Sequence, residues 1–174
     1  MKKSKSIIGS YLSFKVRDWK DPIKGFLVDY NDEWILILNN PQDYIIDGYI
    51  LLRFNYYARI DNRNLLKDAL TEKILTLKGF PIKTLPIPID DLKTILSSIS
   101  KKYGVFAFHR KPQYKFRVGK LKSLDKKQLV IDALDPDAEW IGTNQFRPSD
   151  IRTIEFDTDY LNSLMIVAKK KMPK

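Results

Sequence analysis

The sequence predicts a mainly β protein with accessory α-helices, organised as two small, strongly bent barrels in tandem. Three observations predict it. Short runs of β-forming residues recur between turn signals at the spacing of a small barrel. The chain matches itself, without gaps, when displaced by 94 positions. Both matched segments end in an apolar pattern of helical period at the same offset.

The displacement places Phe14 on Phe108, Gly25 on Gly119, Leu27 on Leu121, Ile37 on Ile131 and Asp43 on Asp137. It also places Gly48 on Gly142, Arg53 on Arg147, Ile60 on Ile154 and Leu70 on Leu164. These nine identities in 57 aligned positions exceed the about three or four that average composition gives. Apolar strand falls on apolar strand, with Ile35-Leu36-Ile37 on Leu129-Val130-Ile131.

In the first copy, Leu12, Phe14 and Val16 alternate with polar residues, as in a half-buried strand. A second strand runs over 23–30 and contains Gly25, which predicts a bulge or sharp bend. Asn31-Asp32 turns the chain into a strand over 33–38. A loop through Asn39-Asn40-Pro41 leads to strands over 48–54 and 56–60. The second copy gives strands over 105–110, 115–124, 128–134, 140–146 and 151–156.

Leu66, Leu70, Ile74 and Leu77 form a stripe of helical spacing, expected to face a core, with Asn62 or Asn64 as its cap and Gly79 as its stop. Residues 80–89 carry Pro81, Pro86 and Pro88 and read as extended. Asp90 is the expected cap of a helix that places Leu92, Ile95, Leu96 and Ile99 on one face. Lys101 and Lys102 suit the dipole of its last turn, and Gly104 stops it. A third helix is expected over 159–169, with Tyr160, Leu161, Leu164, Met165 and Ala168 inward. The organisation is therefore a first barrel and helix over 1–78, a Pro-containing linker and short helix over 79–103, and a second barrel and helix over 104–174.

Composition narrows the chemistry. The 174 residues are 44% hydrophobic, far too apolar for a disordered chain. With no Cys there is no disulfide framework, thiol nucleophile or Cys-ligated zinc. With one His there is no multi-His metal site. The longest apolar stretch near the start is Ile7-Ile8, against the roughly 7–15 residues of a secretory signal. No run approaches the ~20 residues that span a bilayer. The expectation is a cytoplasmic protein without membrane partner, cofactor or metal.

Strand, bent strand with Gly, long strand, apolar–Gly–apolar strand and short Ile-ended strand together resemble the Sm-like and SH3-like small barrels. The residues that carry the resemblance are Gly25, Asp47-Gly48-Tyr49-Ile50 and Ala58-Arg59-Ile60, then Gly119, Ile141-Gly142 and Asp150-Ile151-Arg152-Thr153-Ile154. Sm-like proteins that bind RNA put Arg or Lys before the fourth-strand Gly, where this chain has Asp47 and Ile141.

The net charge of +10 is unevenly spread. Residues 1–20 carry +5, 101–127 carry +9 and 163–174 carry +4, whereas 21–68 carry −3 and 128–162 carry −6. Arg110, Lys115, Arg117, Lys120 and Lys122, interleaved with Tyr114 and Phe116, read either as a phosphate-attracting face with stacking rings or as a solvated strand edge. Phe116 and Val118 are expected to point into the core. Tyr44, Tyr49, Phe54, Tyr56 and Tyr57 read either as a binding groove or as core and rim packing. Arg53 and Arg147, equivalent in the two copies, either bind a ligand or bond nearby turn carbonyls. Asp135, Asp137, Glu139, Asp157 and Asp159 fit turns and a helix start better than a calcium loop. His109 is expected at the surface. No acid–base pair, nucleophile motif or phosphate loop is visible. These features point to a non-catalytic binding or adaptor module whose ligand is a protein segment or a polyanion, with nucleic-acid binding through 101–127 and the termini as the alternative.

Overall fold

The computed structural model describes residues 7–61, 65–80, 82, 84–111, 113 and 115–171. Among them the fold is mainly β with accessory helices, and the chain divides into two compact units, Met1–Ile89 and Asp90–Lys174. No helix among the described residues is long and apolar enough to cross a membrane. The expected caps Asn62 and Asn64, the linker residue Pro81 and the aromatic Tyr114 lie outside the described residues.

The first unit contains β1 (Tyr11–Val16), β2 (Ile23–Tyr30), β3 (Trp34–Asn39), β4 (Tyr49–Arg53) and β5 (Tyr57–Ile60). They pair antiparallel in the order β5-β1-β2-β3-β4. The carboxamide oxygen of Asn31 accepts the backbone N–H groups of Glu33 and Trp34 at 2.8 and 2.7 Å, which turns β2 into β3. A single 3-10 turn, Phe54–Tyr56, joins β4 to β5. Phe14, Val16, Ile23, Leu27, Ile35, Ile37, Ile50 and Leu52 build the core of this unit.

The second unit contains β6 (Phe106–His109), β7 (Phe116–Leu124), β8 (Leu129–Leu134), β9 (Trp140–Phe146) and β10 (Thr153–Phe156). Their order is β10-β6-β7-β8-β9, again antiparallel, with a 3-10 turn at Pro148–Asp150. The pairings fall 94 residues on from those of the first unit. Leu12 pairs with Gly25 as Phe106 with Gly119, and Leu27 with Ile37 as Leu121 with Ile131. Ile35 pairs with Leu52 as Leu129 with Phe146, and Phe14 with Ile60 as Phe108 with Ile154. The register shift after Leu27 recurs after Leu121.

Close approach explains the matched glycines. A Cβ on Gly25 would lie 2.0 Å from the carbonyl oxygen of Leu38, and one on Gly119 would lie 2.4 Å from that of Asp132. Only a residue without a side chain lets the strands meet there.

Three helices complete the chain: α1 (Leu65–Leu77), α2 (Leu92–Lys102) and α3 (Asp159–Lys171). Asp91, rather than the expected Asp90, caps α2. Its extended backbone lets its carboxylate accept the Thr94 N–H at 2.9 Å. Leu92, Ile95, Leu96 and Ile99 are buried as expected, and the Ser100 hydroxyl accepts the Leu121 N–H at 3.0 Å, fixing α2 on β7. In α3, Leu161, Leu164 and Ala168 pack on Val105, Val118 and Leu134. Tyr160, expected inward, is exposed.

Helix α1 departs most from expectation. Leu66 and Leu77, placed on the inward stripe by their spacing, are 90% and 78% exposed, and Leu70 is half-exposed. Thr71 and Leu75 are buried instead. The reason lies in the sheet beneath. The positions of Val105, Val118 and Leu134 under α3 correspond to Tyr11, Lys24 and Asn40 under α1. That polar surface takes a polar helix edge: Lys24 bonds Asp68 at 2.6 Å, and the Tyr11 N–H donates to Glu72 at 3.2 Å. The helix is rolled so that its acids meet their partners and its leucines face away.

Candidate functional site

The second unit carries a cleft of about 490 Å³ between the start of β7, the β8–β9 pair and the first turn of α3. Phe116 and Tyr160 stand edge to face across part of it, with centroids 5.8 Å apart and planes at 90°. Ile141 of β9 completes the apolar wall. These three side chains are 38%, 42% and 58% exposed and together form an apolar patch on the cleft wall. Lys115 and Arg117 line the same cleft and make it cationic, and Asp135 and Asn144 add acceptors.

Each wall has a local cause. Phe116 pairs with His109 across the β6–β7 ladder, and the two rings lie 5.6 Å apart. His109, expected at the surface, is buried, and its Nε2 is 2.9 Å from Glu155 Oε1 on β10. Phe116, expected in the core, is the first residue of β7 and is partly exposed, covered on one side by Tyr160 of α3. Val118, two residues on, is buried as expected. Asp135 is fixed by accepting the N–H groups of Asp137 and Glu139, each at 2.9 Å. Lys171 closes the α3 end of this turn, reaching the Asp137 carbonyl at 2.7 Å and Glu139 at 3.2 Å. Asp157 and Asp159 flank the start of α3, where the Thr158 hydroxyl accepts the Leu161 N–H at 3.2 Å.

The other predicted site residues are distributed more widely. Lys120 lies 5.1 Å from the Trp140 ring and Lys122 pairs with Asp132 at 3.3 Å. Arg110 sits 5.4 Å over Phe146. Arg147 is exposed at the start of its 3-10 turn, and its carbonyl accepts the Asp150 N–H at 3.1 Å. Its counterpart Arg53 lies 4.8 Å over Trp34 and bonds Glu33 at 3.0 Å. The structure separates the first-copy tyrosines: Tyr44 is exposed in the loop after β3, Tyr49 is buried on β4, and Tyr56 packs against the core with Phe54 and Tyr57. Burial raises the pKa of Tyr57.

A second hollow, of about 240 Å³, lies in the first unit beside Tyr11, Lys24, Asn40 and Asp68. The Tyr11 hydroxyl donates to Asn40 at 2.6 Å, and burial, then the carboxylates of Asp68 and Glu72, push its pKa far up. Its polar groups hold the fold and bond one another.

None of the three apolar cleft residues was among the predicted binding positions: Phe116 and Tyr160 were expected to face the core, and Ile141 was not singled out for binding. A weak signal for Ile141 exists: next to Trp140 on the same strand, it must point to the opposite face and precedes the polar run Gly142-Thr143-Asn144-Gln145. Tyr160 carries none, because it shares its period with core residues. Compared with known protein families, curated proteins and solved structures, the chain matches none.

Proposed function

We propose that this chain is a cytoplasmic, non-catalytic binding or adaptor protein built from two copies of a small SH3-like barrel. The recurrence of pairing partners, register shift and 3-10 turn 94 residues apart supports the duplication. The order β5-β1-β2-β3-β4, with a 3-10 turn before the last strand, supports the SH3-like reading. The ligand is an extended protein segment that carries apolar and acidic side chains, and it occupies the cleft of the second unit. One observation carries this: Phe116, Ile141 and Tyr160 converge, exposed, on a cleft lined by Lys115 and Arg117. Apolar anchors supply affinity and the cations select the acidic partner.

The test titrates isotope-labelled protein with short acidic, leucine-containing peptides and records amide shifts. The expected result is a set of saturable shifts around Phe116, Ile141 and Tyr160, lost in Phe116→Ala. Absence of shifts there, with any peptide of this class, removes the proposal.

The exposure of Arg110, Lys115, Arg117, Lys120 and Lys122 along one strand and its approach favours a second reading, nucleic-acid binding. It predicts retardation of a short oligothymidylate that weakens steeply with salt. The engagement of Lys120 with Trp140 and of Lys122 with Asp132 makes it the lesser reading.

A further inference from the structure

We propose that the outward face of α1 is a docking surface for an amphipathic helix with acidic flanks, contributed by a partner protein. At about 100° per residue, Leu66, Leu70 and Leu77 fall within a narrow arc opposite the buried Leu75. The stripe runs along about 17 Å of helix, three turns, which is the length of a short helical ligand.

The orientation is anchored. Asp68 is held by Lys24 and Glu72 accepts the Tyr11 N–H, both from the sheet. Turning the leucines inward would bury them on Lys24 and Asn40 and strand those groups. Of the positions in α3 that correspond to Leu66, Leu70 and Leu77, which are Tyr160, Leu164 and Lys171, Leu164 is buried on its own sheet and the other two are exposed. Among the described residues, the three leucines of this stripe stay exposed on the first unit.

Charge selects the occupant. Both acids of α1 described here are engaged on the sheet side. Lys73 lies on the leucine face and is exposed, and Lys67 and Lys78 flank that face. Lys67 reaches Asp43 at 3.6 Å and Lys78 donates to the Tyr44 carbonyl at 2.7 Å, so the selection by charge rests on Lys73, which stands exposed among the leucines. A second copy of the chain is disfavoured. Antiparallel pairing about the middle of the stripe would bring the two Lys73 within about 5 Å along the axis, and parallel pairing would oppose them directly. A partner helix with leucines in the seam and Glu at its edges meets both the apolar and the cationic parts.

The test uses a labelled synthetic peptide with leucines at helical spacing and glutamate flanks, and follows its anisotropy with the full chain. Binding is expected, with salt sensitivity. Leu70→Glu with Leu77→Glu should weaken it by at least about tenfold, with an unchanged melting profile. Lys73→Glu, which keeps every leucine, should weaken it by about threefold or more and guards against a folding artefact of the double variant. Three results overturn the proposal. The lysine-flanked version of the peptide binds equally well. The chain dimerises through the stripe, and the double variant is monomeric. The peptide fails to bind while the chain sediments with vesicles of phosphatidylcholine and phosphatidylserine, and the double variant does not.

Discussion

Replacing Gly119 by alanine probes the point where β7 and β8 lie closest. The new Cβ would sit 2.4 Å from the Asp132 carbonyl oxygen, where ordinary contact begins at 3.4 Å, so the strands must part by about 1 Å. That movement weakens the two flanking ladder bonds, about 1 kcal/mol each. Overpacking against Ile131, whose Cδ1 would be 2.8 Å away, adds about 1–3 kcal/mol. Restricting the unfolded chain offsets about 0.4–1 kcal/mol. The expected loss is about 2–4 kcal/mol, or several degrees in Tm. Gly142→Ala is the internal comparison. Its φ of +89° strains an alanine, but no atom lies within 4 Å of the new Cβ, so its cost is the backbone strain alone, about 1–2 kcal/mol. Urea titration followed by tryptophan fluorescence measures both. If Gly119→Ala costs no more than Gly142→Ala, strand contact is not what requires glycine at Gly119, and the structural equivalence to Gly25 loses its physical basis.

Three further outcomes follow from the packing. Leu75→Ala should cost about 2–4 kcal/mol and Leu70→Ala under about 0.5, measured by the same titration; the reverse order would show that α1 is rolled the other way. Asp91→Ala should cost about 1 kcal/mol at neutral pH. Because the bonds from Thr94 hold the Asp91 carboxyl below its usual range, that contribution is complete above about pH 4 and fades as pH falls through the folded value, so the two proteins should converge in acid. Tyr11→Phe should cost about 1 kcal/mol through the lost bond to Asn40. The raised Tyr11 pKa keeps the wild type stable up to about pH 10 and costs stability above it, so the variant should show a shallower alkaline decline.

Much of the fold was legible in the sequence because strand alternation and turn chemistry are local. Asn31, Gly25, Gly119 and the apolar face of α2 each act where the sequence predicts. The roll of α1 was not legible. The stripe of Leu66, Leu70 and Leu77 is a sound helical signal, but which way it faces depends on Tyr11, Lys24 and Asn40, distant in the chain. The cleft was half legible. Lys115 and Arg117 stood out by charge, whereas the meeting of Phe116 and Tyr160 depends on a contact between residues 44 positions apart in the chain. The first-copy tyrosines scattered because successive residues in strands and turns point to different sides.

The last strand of each unit lies beside its first, Ile60 against Phe14 and Ile154 against Phe108. Each of these contacts bridges 46 residues of intervening chain. During synthesis, neither sheet can finish until its fifth strand has left the ribosome, and β1 must wait with one side bare. Each unit therefore folds late relative to its own translation, and the first can be complete before the second begins. A ribosomal pause soon after the fifth strand emerges would let β5 pair with β1 before the strands of the second unit appear.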